Sequence, residues 1–190
     1  MFGPRLTGTR ITLRGFGPSD IPHFRRWFAD PTVVRYWWLK DVPWARSPTV
    51  AALILFARAV LDKQAMFWTI ERDGRPIGHT NIRQIDRAAG HAVSSMFIGE
   101  KTEHGRGLAV DAIAIRNAYL FERCGLNKIK AIALSRNHAI HRVFEKAGYR
   151  LVGTARDDVS VGGQRHDVLL FELRRADWEQ TLVRPERGAA

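Results

Sequence analysis

At 190 residues the chain is sized for one domain, since domains run roughly 100–200 residues, and a chain of that length buries about 70% of its unfolded surface without a metal or disulfide staple. A content of 45% hydrophobic and 26% charged residues excludes wholesale disorder, and the single cysteine, Cys124, excludes an internal disulfide. Thirty Lys and Arg against 19 Asp and Glu leave a net charge of +11, which suits polyanions or a phosphorylated cofactor without choosing among them; the basic residues are scattered, the pattern of a general arginine preference. No apolar run nears the roughly 20 residues that span a bilayer. The first residues, MFGPRLTGTR, have no apolar stretch behind their basic ones. No secretory signal and a cytoplasmic setting are therefore expected.

In chain order, Arg10 to Arg14 alternates as a short strand. Pro18-Ser19-Asp20 carries helix-start chemistry, and Ile21, Phe24 and Phe28 follow at helical spacing until Asp30-Pro31 breaks it. An aromatic stretch follows, with Tyr36, Trp37, Trp38 and Trp44. Ser47 is an N-cap with Pro48 at the first helical position, predicting a helix to about Lys63 that buries Leu53, Phe56, Ala57, Val60 and Leu61. Three antiparallel strands come next: Met66 to Glu71, Pro76 to Asp86 and His91 to Ile98, with turns at Asp73-Gly74 and Ala88-Ala89-Gly90. After a polar loop, Leu108, Ala112, Ile115 and Tyr119 recur as one buried helical stripe, stopped at Gly125. Lys128 to Leu134 is a strand. Asn137 caps a short helix whose stripe is Ile140, Val143, Phe144 and Ala147, and Gly148 stops it. Tyr149 to Arg156 and His166 to Leu173 are the last strands, joined through Gly162-Gly163. The order is α+β, with one domain over residues 1–182 and a tail over 183–190 that is expected to fray.

The stretch from Met96 to Ala109, MFIGEKTEHGRGLA, carries the chemistry. A strand runs into a glycine-bearing loop that opens a helix at Gly107. First-turn amides have no partner inside a helix, and with the helix dipole they form an anion site. Gly105 and Gly107 would let the backbone approach a phosphate closely, although two glycines before a helix are also ordinary capping chemistry. The run His104-Gly105-Arg106-Gly107-Leu108-Ala109 resembles the pyrophosphate-binding signature of the GNAT acetyltransferases, Arg/Gln-x-x-Gly-x-Gly/Ala. Gly107 and Ala109 match it; His104 departs at the first position. Downstream, NHAIHRVFEKAGY from Asn137 to Tyr149 resembles the family's asparagine-initiated helix with its closing Glu-Lys-x-Gly-aromatic. Arg10 to Arg14, Ile77-Gly78, Gly153, Arg156 and Asp167 extend the likeness over residues 8–178. It is closest to the Rim-type branch, which acetylates N-terminal amines of ribosomal proteins, polyamines or other small amines.

The resemblance implies a GNAT-like α+β fold: a mixed, mostly antiparallel central sheet, splayed between two parallel strands and flanked by helices. It implies acetyl-CoA as co-substrate and acetyl transfer to a primary amine, a protein N-terminus or a small molecule, by direct attack on the thioester. Neither a membrane nor a nucleic acid is an expected partner. The pyrophosphate would lie on the amides of His104, Gly105, Arg106, Gly107, Leu108 and Ala109. The pantetheine arm would pair with the backbone of Met96 and Ile98 in the splay. Asn137 would hydrogen-bond that arm, with Ile140 and Phe144 packed against it. The amide of Ile98 would stabilise the oxyanion.

An alkyl amine has a pKa near 10.4 and arrives protonated, so a base or a water chain must take its proton. The family's frequent glutamate on the strand before the loop is missing, since His91 to Phe97 holds no carboxylate. If the hairpin closes with a two- or four-residue loop around Ala88 to Gly90, odd residues of the second strand face even residues of the third. His79 and Asn81 then share a face with Ser94, Met96 and Ile98. An imidazole there would titrate near neutrality, which makes His79 the candidate base; its alternative is a hydrogen-bonded strand residue. For the thiolate's proton, Phe144 and Ile140 stand where family members often carry a tyrosine and a serine, and neither can donate. Ser135 and Tyr149 are the nearby alternatives, Tyr149 also reading as core. These gaps motivate a second reading, a non-catalytic acyl-CoA-binding sensor or interaction module. Charge alone motivates a third, a nucleic-acid-binding domain. His138 and His141 lack a third ligand, so no metal is expected. Trp37, Trp38 and Trp44 read equally as a lid on the acceptor pocket, as packing, or as a homodimer contact.

Overall fold

The computed structural model describes residues 1–37 and 43–183, with the backbone alone at Trp44 and Val183. The centre is a meander of β3 (Met66–Arg72), β4 (Arg75–Asp86) and β5 (His91–Ile98). It is preceded by β1 (Leu6–Thr7), β2 (Thr12–Gly15), α1 (Ile21–Phe28) and α2 (Pro48–Leu61), and followed by α3 (Leu108–Glu122) and β6 (Lys128–Leu134). Then come α4 (His138–Lys146), β7 (Arg150–Val161), β8 (Gln164–Arg174) and α5 (Arg175–Val183). The eight strands form one sheet in the order β1-β2-β3-β4-β5-β6-β8-β7. Every neighbouring pair is antiparallel except β5 and β6. Local chemistry sets the turns: Asp73 and Gly74, both at positive φ, close β3 on β4, and Gly162 and Gly163 close β7 on β8, as two-residue hairpins of twisted strands require.

Strand alternation sends successive side chains to opposite faces, and each face has its own core. Trp68 and Ile70 join Leu108, Ala112, Leu120 and Phe121 of α3 under one face, with Phe144 of α4 in the same cluster. Phe67 and Phe97 meet Phe16, Phe24 and Trp27 of the α1 region and Ala52 and Ala59 of α2 on the other. Fully burying one such large apolar side chain contributes roughly 1.5–3 kcal/mol. The start of α1 is pinned by Asp20, which is fully buried. Arg14 grips its two oxygens at 2.6 and 2.7 Å, and Thr69 and the amide of Gly17 each donate to it at 2.8 Å. Burial alone would raise this carboxyl; the bonds from Arg14, Gly17 and Thr69 outweigh it and hold the pKa below the usual range.

The structure departs from these expectations in three places. The first is the buried face of α2: Ala51, Ala52 and Ala59 are buried, while Leu53, Val60 and Leu61 are 48%, 53% and 75% exposed and Ala57 faces out. The helix is apolar almost all round, so periodicity could not fix its phase. Small residues face inward because the α1 aromatics pack close to them. The second is α5, which was not foreseen; its Trp178 packs on Phe121 at 5.2 Å. The third is the hairpin register. The loop does close Asp86 opposite His91, but the register then slips, so that Gln84 and Ile85 together oppose Ala92. Gln84 adopts φ +52° to make this bulge. From Arg83 onward odd residues face odd: His79 lies opposite Phe97, and Asn81 opposite Ser95. His79 and Asn81 therefore point away from the face of Ser94, Met96 and Ile98. Among the described residues no helix is long and apolar enough to cross a membrane. Residues 184–190 of the expected tail lie outside the described residues.

Candidate active site

β5 and β6 pair only from His91 to Ser94 and from Lys128 to Ala131. Beyond that point β5 stays with β4 and β6 stays with β8. The two strands diverge, and a cleft of about 470 Å³ opens between them. The amide of Gly99 donates to the carbonyl of Ile77 at 2.8 Å. An antiparallel ladder alternates between residues that bond to the partner and residues that point away. Residues 95, 97 and 99 thus bond toward β4, while Met96 and Ile98 turn their amides and carbonyls toward the cleft. An unpaired strand edge is a template for another extended chain.

The loop after β5 is held by side chains from distant parts of the chain. His104 bonds through Nε2 to the carbonyl of Ile98 at 2.9 Å, closing the loop on the strand that precedes it. Glu100 accepts from Trp27 Nε1 at 2.9 Å and pairs with Arg26. Glu103 takes Arg72 at 2.7 Å. Arg10 forks onto Asp111 at 2.6 and 2.8 Å and donates to the carbonyl of Arg106 at 2.9 Å. Gly105 and Gly107 sit at φ +76° and +78°, in the left-handed region that favours glycine. Gly107 caps α3, and among the described residues, chain neighbours aside, no atom lies within 4 Å of where a Cβ of Gly105 would be. The amides of Leu108 and Ala109 head the helix without an intrahelical partner, in a cradle that fits a phosphate group. His104, Gly105, Arg106 and Gly107 are all exposed at that cradle.

On the α1–α2 face, His79 lies among Phe16, Phe24, Phe67 and Phe97, with ring centroids at 5.2–5.9 Å. Asn81 Nδ2 approaches its Nε2 at 3.1 Å, donating to the neutral ring. Burial pushes the imidazole pKa down to about 3. That corrects the expectation of an imidazole titrating near neutrality: the ring touches the cleft but holds no proton affinity useful at pH 7. Phe28, stacked on Trp37 at 4.8 Å, extends the aromatic wall. Trp38 and the side chain of Trp44 lie outside the described residues.

Asn137 lines the cleft with Ile140 and Phe144. Its Oδ1 caps α4, accepting from the amide of Ile140 at 3.4 Å. Ser135 sits beyond the end of β6, its amide bonded to Asp167 O at 3.0 Å, and is not part of the cleft wall. Tyr149 is buried behind Phe144, with its hydroxyl 3.1 Å from Asn117 Nδ2. His141 bonds the carbonyl of Leu134 at 2.9 Å, a structural role. The sequence reading missed three groups. Arg116, fully buried on α3, reaches Thr80, Asn117 and Tyr149. Arg58 and Arg83 line the cleft from α2 and β4. The parity of β4 would have flagged Arg83, had the bulge been visible.

The family model described as an acetyltransferase (GNAT) domain matches residues 10–150. A probable N-acetyltransferase of Bacillus subtilis, YjcK, is 33% identical over 111 residues, 57% of this chain and 60% of that protein's length; the chain thus spans about three-fifths of that relative. Among solved structures, spermidine N-acetyltransferase of Vibrio cholerae, in complex with CoA and spermine, superposes with a TM-score of 0.78 at 17% identity, over 90% of this chain and 99% of that one. RimJ of Mycobacterium smegmatis, in complex with CoA-disulfide, gives 0.79 at 18% identity, over 91% of this chain and 88% of that one. At those identities the likeness establishes the fold.

Proposed function

The chain belongs to the GNAT acetyltransferase family, and on that premise we propose that it is a cytoplasmic enzyme transferring an acetyl group from acetyl-CoA to a primary amine. One observation carries the reading: the edge of β5, open toward the cleft at Met96 and at the amide of Ile98, runs directly into the glycine cradle at the head of α3. A single extended ligand with a diphosphate at one end fits both. The amides from Gly105 to Ala109 hold the diphosphate; that of His104, expected to join them, is already donated to the carbonyl of Lys101 at 3.1 Å. Met96 and Ile98 pair with the amide-bearing arm, Ile140 and Phe144 pack on it, and Asn137 offers its Nδ2. The amide of Ile98 supports negative charge developing on the acetyl oxygen. The amine attacks the thioester carbon, the carbon–sulfur bond breaks, and CoA leaves as a thiolate.

No described side chain on the cleft wall is a carboxylate or an imidazole with useful basicity, so the ammonium proton leaves through water. That same observation favours one rival, a protein that binds acyl-CoA without turning it over. Calorimetric titration with CoA, backbone exchange and thiol release with a panel of amines separate the two. Catalysis predicts binding, protection of amides between residues 96 and 109, and thiol release with an amine. Failure to bind CoA refutes both readings; binding without thiol release from any amine leaves the sensor.

A further inference from the structure

We propose that the acceptor is an amine that also carries an anionic group, a carboxylate or a phosphate, which Arg83 and Arg58 hold on the cleft wall. The inference rests on the acetyl-transfer reading and names the substrate class of that site.

The charges of the cleft point to it. Among the described residues, its wall contains two arginines and neither Asp nor Glu. Arg83 stands on β4 opposite Val93. Val93 precedes Ser95, where the splay begins, by two strand residues, or about 7 Å. Ile98, whose amide would meet the acetyl oxygen, lies three residues, or about 10 Å, further along β5, so an anion on Arg83 sits at the far end of an extended acceptor. Arg58 comes from α2 across the cleft. Arg83 is half-buried, and its Nε is buried with no hydrogen-bond partner among the described residues. Burial pushes its pKa down, the like charge of Arg58 adds to that, and Asp62 at the end of α2 pulls the other way. A partly desolvated guanidinium with an open donor is complementary to a planar or tetrahedral oxyanion.

The neutral polar groups nearby, Asn81, Gln84 and Ser95, suit the rest of a polar head, while Phe28, Trp37 and Phe97 offer an apolar wall. A polyamine would bring two or more further positive charges against the same two arginines. The fold shared with a spermidine N-acetyltransferase therefore does not carry over its acceptor, because a fold does not fix the substrate.

Matched acceptors decide the matter. Thiol release from acetyl-CoA is measured with L-phenylalanine against L-phenylalaninamide, phosphoethanolamine against ethanolamine, the peptide Ala-Glu-amide against Ala-Gln-amide, and spermidine. The anionic member of at least one pair should have a kcat/KM about tenfold higher than its neutral partner. The pair in which it appears tells a free carboxylate, a phosphate and a peptide side chain apart. Arg83→Gln should bring that ratio close to one without changing the KM for acetyl-CoA. Arg58→Glu, on an exposed helix position, should do the same with no risk to the core. Neutral members equal to or better than anionic ones throughout, spermidine as the best acceptor, or a preference that survives both substitutions would overturn the proposal. Affinity is read separately, by titrating CoA-saturated protein with N-acetyl-L-phenylalanine and with its amide. If no amine is acetylated, the activity reading fails on its own. Tighter binding of the carboxylate then still supports the anion site, and equal or absent binding overturns it.

Discussion

Acid should loosen this fold through one side chain. His79 is enclosed by four phenylalanine rings, and burial lowers its pKa from 6.5 to about 3. In the unfolded chain the same ring titrates near 6.5. Below that pH the unfolded state binds a proton that the folded state refuses, so the stability present above pH 6.5 is lost progressively as the pH falls toward 3. Each pH unit in this window removes about 1.4 kcal/mol. From pH 6.5 to 5 the loss is about 2 kcal/mol, a large part of a typical 5–15 kcal/mol total. Asp20, Asp30, Asp86 and Glu172, all held below their ordinary pKa, stay ionised across that interval and add little slope. Urea unfolding at pH 7, 6 and 5 measures the effect in the parent and in His79→Gln, whose amide can still meet Asn81. The parent should lose about 2 kcal/mol more than the variant over the interval. Parallel pH dependences would refute the reasoning, because they would mean that the ring exchanges its proton freely when folded. By the same logic the substitution should leave the limbs of the pH–rate profile where they are.

Two further outcomes follow from close contacts. A Cβ on Gly78 would overlap the carbonyl of Phe97 and lie 3.0 Å from the Cα of Ile98; Gly78→Ala should therefore cost about 1–3 kcal/mol and weaken CoA binding by displacing the cleft edge, as urea unfolding and calorimetry would report. Arg10→Met frees both Asp111 and the carbonyl of Arg106 and should raise the KM for acetyl-CoA several-fold with little change in Tm; an unchanged KM would show that the loop keeps its shape without the clamp.

The parts of the fold written in local patterns were readable. β5 and β6 begin and end where alternation and turn residues placed them, and Ser47 caps α2 with its hydroxyl 3.4 Å from the amide of Val50. The glycine loop was legible because its whole signal lies within six consecutive residues. What stayed hidden depends on distance or on a single irregular residue. Arg10 and Asp111 are 101 positions apart, and nothing in either neighbourhood announces the other. Arg58 and Arg83 converge only once α2 packs across β4. Arg116 occupies a buried position of α3 that a charged residue normally argues against, and only its partners Thr80, Asn117 and Tyr149 explain it. His79 was placed on the wrong face because no glycine marks the bulge at Gln84.

That bulge acts as a phase shifter for the whole hairpin. Everything from Arg83 back to Gly78 owes its orientation to one surplus residue, so the surface an acceptor would meet and the surface that seals the α3 core are interchangeable by a frameshift in space. A chimera that borrows β4 and β5 to transplant this cleft has to bring Gln84 with it; trimmed to a regular ladder, the same letters would present their wet row to oil and their oily row to water.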